Sequence, residues 1–117
     1  MKGAIMPAMD SRDNLAGRLR TVLAPQPNVR EVHMFGGLSF MVDDRLAVAA
    51  GSRGDLLVHI DPATYDDLLE RGGVEAMMGS NRPMGRNWLT VPWSRIVDDE
   101  ELSWWVGVAL AAGGAAD

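Results

Sequence analysis

The chain holds two histidines, His33 and His59, and no cysteine. Disulfides, thiolate zinc sites and cysteine nucleophiles are therefore excluded. Both histidines sit opposite the apolar residues of alternating segments. If those segments are neighbouring strands, the two imidazoles meet, with Glu31 nearby. A metal site needs three or four such ligands, and the chain has neither an HxH nor an HExxH spacing. The histidines therefore read as solvent-side groups, and a weak ligand site at His33 and His59 is the alternative. Carboxylates cluster at Asp43-Asp44, Asp66-Asp67 and from Asp98 to Glu101. General acid–base work needs two carboxylates across a cleft in different environments. These are sequence neighbours, explained by a turn, a helix face and a helix start. The glycine pairs Gly36-Gly37, Gly72-Gly73 and Gly113-Gly114 fit neither GxGxxG nor GxxxxGK[ST], so no nucleotide cofactor is implied. Gly36-Gly37 reads as a bulge or corner that needs positive φ. Neither a catalytic constellation, a cofactor nor a metal site emerges.

Binding chemistry is better represented. Arg82 and Arg86 flank Pro83-Met84-Gly85 in the most loop-like stretch, residues 79–87. With Arg71 and Arg53 they could form a basic patch for a phosphate or an acidic partner surface. There are four tryptophans. Trp88, Trp93 and Trp105 read as core. Trp104 falls off the main stripe of its helix, and an exposed aromatic rimmed by acids is a candidate interface.

The elements that must position these groups follow from periodicity. Leu15, Leu19, Val22 and Leu23 share one face of a helix over residues 11–23, which Pro25 and Pro27 stop. Strands follow at 29–34, 38–42, 45–50 and 55–60. Asp43-Asp44 joins two of them as a hairpin turn, tight or somewhat looser. Asp61-Pro62 opens a second helix with Tyr65, Leu68 and Leu69 as its apolar stripe, ended by Gly72-Gly73. A short apolar segment at 74–78 and a strand at 88–93 precede the last helix. Asp98 and Glu101 give that helix a capping-box start. Leu102, Trp105, Val106, Ala109 and Leu110 form its stripe, and Gly113-Gly114 closes it. The fold class is α+β, an antiparallel β-sheet of five to six strands packed with three helices in the order α-β-β-β-β-α-β-(β)-α.

The length, 117 residues, suits one domain, and 47% apolar with 23% charged residues suits a packed core. A net charge of −5 argues against direct nucleic-acid binding and against attraction to anionic membranes. No continuous apolar leader and no stretch of roughly 18 apolar residues occurs, so the cytoplasm is the expected compartment.

Residues 34–43, MFGGLSFMVD, resemble the opening signature of the TfoX N-terminal domain family. The likeness continues through Arg45-Leu46-Ala47-Val48-Ala49 and the strand Asp55-Leu56-Leu57-Val58-His59-Ile60-Asp61. It ends in the Trp88 to Trp93 strand and an acid-capped helix bearing Trp104-Trp105. Asp43-Asp44 stands where Asp-Gly is typical, and His59 where a Lys is common. The resemblance implies a secretion-chaperone-like α+β fold and an association with competence regulation, with no catalytic residue to carry over. The likeness spans roughly residues 11–112, and the expected organisation is a flexible arm (1–9), one domain (10–112) and a frayed tail (113–117). The expected function is a non-enzymatic protein-interaction or regulatory domain docking a protein partner or, by analogy with chaperones, a second copy. The candidate surface is Phe35, Gly36, Gly37, Arg82, Arg86 and Trp104. The alternative is a small-anion or nucleotide-ligand-binding domain, enzymatic or not, using His33, His59 and the loop carrying Arg82 and Arg86.

Overall fold

The computed structural model describes residues 8–34, 37–51, 53–78 and 82–115. Helix α1 (Ala8–Leu23) leads into strands β1 (Val29–Met34), β2 (Gly37–Val42), β3 (Arg45–Ala50) and β4 (Leu56–His59). A 3-10 turn at Pro62–Thr64 runs into α2 (Tyr65–Arg71). Three two-residue strands follow, β5 (Val74–Glu75), β6 (Met77–Met78) and β7 (Arg82–Pro83), then β8 (Trp88–Val91). A second 3-10 turn at Trp93–Arg95 precedes α3 (Asp99–Ala115). Six strands form one antiparallel sheet in the order β1-β2-β3-β4-β8-β5, and β6 pairs with β7 separately. The α+β architecture and element order agree with the sequence reading.

Register decides which side chains meet. Phe40, Val48, Val58 and Leu89 lie opposite one another across four strands, all fully buried. This row joins Leu15, Leu19 and Leu23 of α1 and Leu102, Trp105, Val106 and Ala109 of α3 in one core. The helices thus cover one face of the sheet. Each Leu or Val closed off there removes about 1.5–3 kcal/mol of apolar hydration cost. Arg18 pins α1 to the start of α3, donating to the Asp99 carboxylate at 3.0 Å and to the Ile96 carbonyl at 2.6 Å.

Several boundaries differ from the periodicity. Helix α1 starts at Ala8, so residues 8 and 9 belong to it rather than to an arm, and residues 1–7 lie outside the described ones. Helix α3 runs on through Gly113 and Gly114 to Ala115. Glycine in a helix costs about 1 kcal/mol against Ala but terminates it only in a left-handed conformation. Gly72 adopts that conformation, at φ 123°, and ends α2; Gly113 and Gly114 do not. At Asp43-Asp44 the tight hairpin prevails, with both residues at positive φ, 54° and 66°. Asp43 is held by the Asn28 side-chain amide at 2.9 Å and Asp44 by Arg30 at 3.1 Å. Those contacts offset the cost of placing non-glycine residues there.

Two apolar assignments are corrected. Trp93 is 60% exposed, not core, because Pro92 ends the strand pairing and the 3-10 turn swings Trp93 outward. Leu69 is exposed beside the buried Tyr65 and Leu68. The acid cap of α3 also differs in part. Asp98 accepts from the Glu100 N–H at 3.2 Å, as a cap should. Glu101 does not close the box; its carboxylate is taken by Trp105 and Arg71.

Candidate functional site

Helix α2 lies beside α3, and an open groove of about 500 Å³ separates their outer faces. Leu68, Trp104, Val108, Ala111 and Ala112 give it an apolar floor. Asp61, Thr64 and Asp67 stand along it, and Arg71 is the cation among its lining residues. The local sequence explains the arrangement. Asp61 caps the turn before α2, its carboxylate accepting from the Ala63 N–H at 3.0 Å. After Glu101, α3 carries no further charge, so its outer face is apolar or small: Ser103, Trp104, Gly107 and Ala111 are all exposed there. An apolar helix is usually covered all round.

Trp104 is 39% exposed and held from two sides. The Arg71 guanidinium sits 3.8 Å from its ring centroid, a cation–π contact. Trp105 meets it edge-on at 5.1 Å and 89°. Glu101 ties both supports together. One carboxylate oxygen accepts from Arg71 at 3.1 Å, and the other accepts from the Trp105 indole N–H at 3.1 Å. The indole of Trp104 is therefore held in one orientation. The sequence had singled out Trp104 without its setting. Arg71 and Glu101 lie far from each other along the chain, and only the antiparallel placement of α2 and α3 brings them to it.

The other candidates do not converge on this groove. Phe35 and Gly36 lie outside the described residues. Gly37 is buried at the start of β2, against Ala50 of β3, and its φ is not positive. Close approach of the two backbones, rather than the expected positive φ, is why glycine suits that position. Arg86 packs on α2 itself, over the Tyr65 ring at 4.5 Å and 3.6 Å from Asp66, but is not among the residues lining the groove. Arg82 is exposed in β7, and Arg53 is in the β3–β4 turn, so the four arginines do not form one patch.

His33 and His59 do not meet. They sit on β1 and β4, with β2 and β3 between them, a separation of about 14 Å from strand spacing alone. Nor does Glu31 join His59, because Arg20 of α1 takes both of its oxygens at 2.8 Å and draws its carboxyl below the usual range. No cluster of three or more His, Cys, Asp or Glu able to hold a metal ion occurs among the described residues. Likewise, no helix among them is long and apolar enough to cross a membrane.

His59 packs against Trp88, ring centroids 4.9 Å apart. Burial pushes its imidazole below the ordinary value of 6.5, and Arg45 adds to the effect. The unfolded chain thus binds more protons in mild acid. The neutral-ring contribution is complete above pH 6.5 and is lost as pH falls through the folded value. Thermal melts stepped from about pH 7.5 to about 5.5 should show a declining limb, and His59→Gln should flatten it. An unchanged slope would assign the limb to another group. Glu31 acts in a separate window, its contribution lost only as pH falls below 4.5.

A six-stranded antiparallel sheet packed with three helices defines a small α+β domain. The TfoX N-terminal domain model matches residues 21–113, most of the chain, and the chain belongs to that family. No curated protein matches it by sequence.

Proposed function

We propose that the chain is a non-enzymatic protein-interaction domain of regulatory role, working in the cytoplasm and docking a partner in the α2–α3 groove. The observation that carries this is Trp104, exposed yet fixed by Arg71 and Trp105 over an apolar floor. Binding energy at interfaces concentrates in such preordered aromatic anchors. The groove's polar rim selects the occupant. Asp61 and Asp67 favour a segment that lays apolar side chains over Trp104 and Val108 and brings a basic residue to their carboxylates. Family membership supports a regulatory setting, as in the competence regulators whose N-terminal domain the chain resembles. The small-anion alternative, on His33, His59 and the loop carrying Arg82 and Arg86, is less favoured because β2 and β3 lie between the two histidines.

Affinity capture from native lysate, read by quantitative mass spectrometry, tests the reading. Trp104→Ala should weaken the captured partner at least about 30-fold, the effect of a hot-spot residue. Its cost in stability should be about 2 kcal/mol, the cation–π and edge contacts together with the buried part of the indole. Arg82→Ala and Arg86→Ala should leave capture unchanged. A partner kept by Trp104→Ala and lost with either arginine would move the docking surface to the loop that carries them.

A further inference from the structure

Strand β1 is an edge strand of six residues, and among the described residues only β2 pairs with it. Its sequence contains neither proline nor glycine, and its pairing with β2 runs without a register shift. Proline and a bulge, two of the devices that blunt an edge, are thus absent from β1, whose charges are Arg30 and Glu31.

The hydrogen-bond phase tells which backbone groups are free. The Asp43 N–H donates to the Asn28 carbonyl at 3.0 Å, and these residues continue the β1–β2 register by one step. In an antiparallel ladder, hydrogen-bonded and non-hydrogen-bonded pairs alternate. Arg30, Val32 and Met34 therefore turn their N–H and C=O groups toward β2. Val29, Glu31 and His33 turn theirs to the open edge.

The face of the sheet opposite the helices, buried at Ser39 and Ala49 and exposed at Val74, adds a second observation. Val32, Ser39, Ala49, Leu57, Thr90 and Val74 lie opposite one another across all six strands, a row without a charge. That row ends abruptly at Val32 on the edge.

We infer that two copies of this chain pair β1 to β1, antiparallel, about a two-fold axis through Val32, which joins their six-stranded sheets into one. This register puts Glu31 of each copy opposite His33 of the partner subunit, in hydrogen-bonded pairs using the outward N–H and C=O groups. Carboxylate and imidazole are complementary there. Val32 faces Val32 of the partner subunit and continues the uncharged row across the seam. Centring the axis on Glu31 instead would set two carboxylates against each other, which destabilises a strand pair. The helices leave room. Helix α1 contacts β2 and β3, about 10 Å from the seam by strand spacing, so the two α1 axes would stand about 19 Å apart. That exceeds the packing distance of helices in contact. This surface lies apart from the α2–α3 groove, so the inference does not rest on the docking role given to Trp104.

The absence of cysteine from the chain makes a single-thiol test clean. At the two-fold centre Val32 forms a non-hydrogen-bonded pair with Cα atoms about 4.5 Å apart, within disulfide reach. Val32→Cys should therefore oxidise to a covalent dimer nearly to completion. Arg30→Cys, about 14 Å from its symmetry mate, should remain largely monomeric. Sedimentation of the unmodified chain up to about 1 mM should show a reversible monomer–dimer equilibrium, the range expected of a small interface. His33→Pro removes only an outward N–H, so it should sediment as a monomer with an unchanged circular dichroism spectrum. Trp104→Ala should leave the dimer intact. A wild type that stays monomeric throughout, equal cross-linking of both cysteine variants, a folded His33→Pro dimer, or a dimer lost with Trp104→Ala would each overturn the assignment.

Discussion

Replacing Trp105 with alanine is expected to remove about 4 kcal/mol of stability, within the range seen when a buried large aromatic is truncated. Trp105 is the largest fully buried side chain of the domain. It lies in the core shared by α3, the sheet and α2, and a methyl at Gly73 would come within 3.5 Å of its ring. Truncation leaves a cavity that a close-packed sheet and two helices cannot collapse into. It also deletes the indole N–H that Glu101 accepts. Glu101 keeps Arg71 as a partner, so no carboxylate is orphaned, and the packing loss dominates. Domains of this size hold about 5–15 kcal/mol in all, so the variant should melt at least 10 °C lower. Trp105→Phe should fall between, losing the hydrogen bond and part of the volume. Denaturant titration of the three proteins checks this order. A loss below about 1 kcal/mol for Trp105→Ala would mean that α3 is not seated on the sheet as described.

How far the sequence foretold these details depended on the range of the forces involved. The stripe Leu102, Trp105, Val106 and Ala109 was readable because one helix face meets one core, and all four are buried. Leu15, Leu19 and Leu23 followed the same logic. In β1 the pattern misled. Val32 and Met34 alternate with Glu31 and His33 as a half-buried strand should. Yet Glu31 pairs with Phe40, on the helix-covered face, and Val32 pairs with Ser39 on the other. An edge strand lies beyond the main overlap of α1, so its inner face carries Glu31 for Arg20 rather than a core residue. Residues 74–78 read as at most one brief strand, and the structure divides them into β5 and β6; two residues set no period, so neither their division nor β7 shows in the alternation. At the groove, Trp104 was visible as an apolar residue off the stripe, whereas its support depends on α2 lying antiparallel to α3. Arg71, Glu101 and Trp105 become one unit only through that tertiary placement.

Gly37 offers the second large effect, and a sharper contrast in sign. A methyl added there would overlap the Ala50 carbonyl oxygen and crowd the Gly51 Cα. Those are backbone atoms in a paired strand and its turn, so no side-chain rotation relieves the overlap. Strand β2 would have to draw away from β3 at this end and loosen the Leu38–Ala50 pair. Overpacking of this kind costs about 1–3 kcal/mol, and an immovable neighbour places Gly37→Ala near 3. The unfolded-state advantage of alanine returns less than about 1 kcal/mol. Gly17 and Gly107 undergo the same chemical change in open surroundings, with nothing within 4 Å of an added methyl. Both lie inside helices, where alanine is favoured by about 0.5–1 kcal/mol. Gly37→Ala should therefore lower the melting temperature by roughly 10 °C while Gly17→Ala and Gly107→Ala raise it by a few degrees. If all three move together, side-chain propensity decides and the close approach of β2 to β3 does not. If Gly37→Ala alone falls, the glycine is fixed by backbone geometry. A loss of partner capture in that variant would then have to be corrected for unfolding before Gly37 could be counted as part of any docking surface.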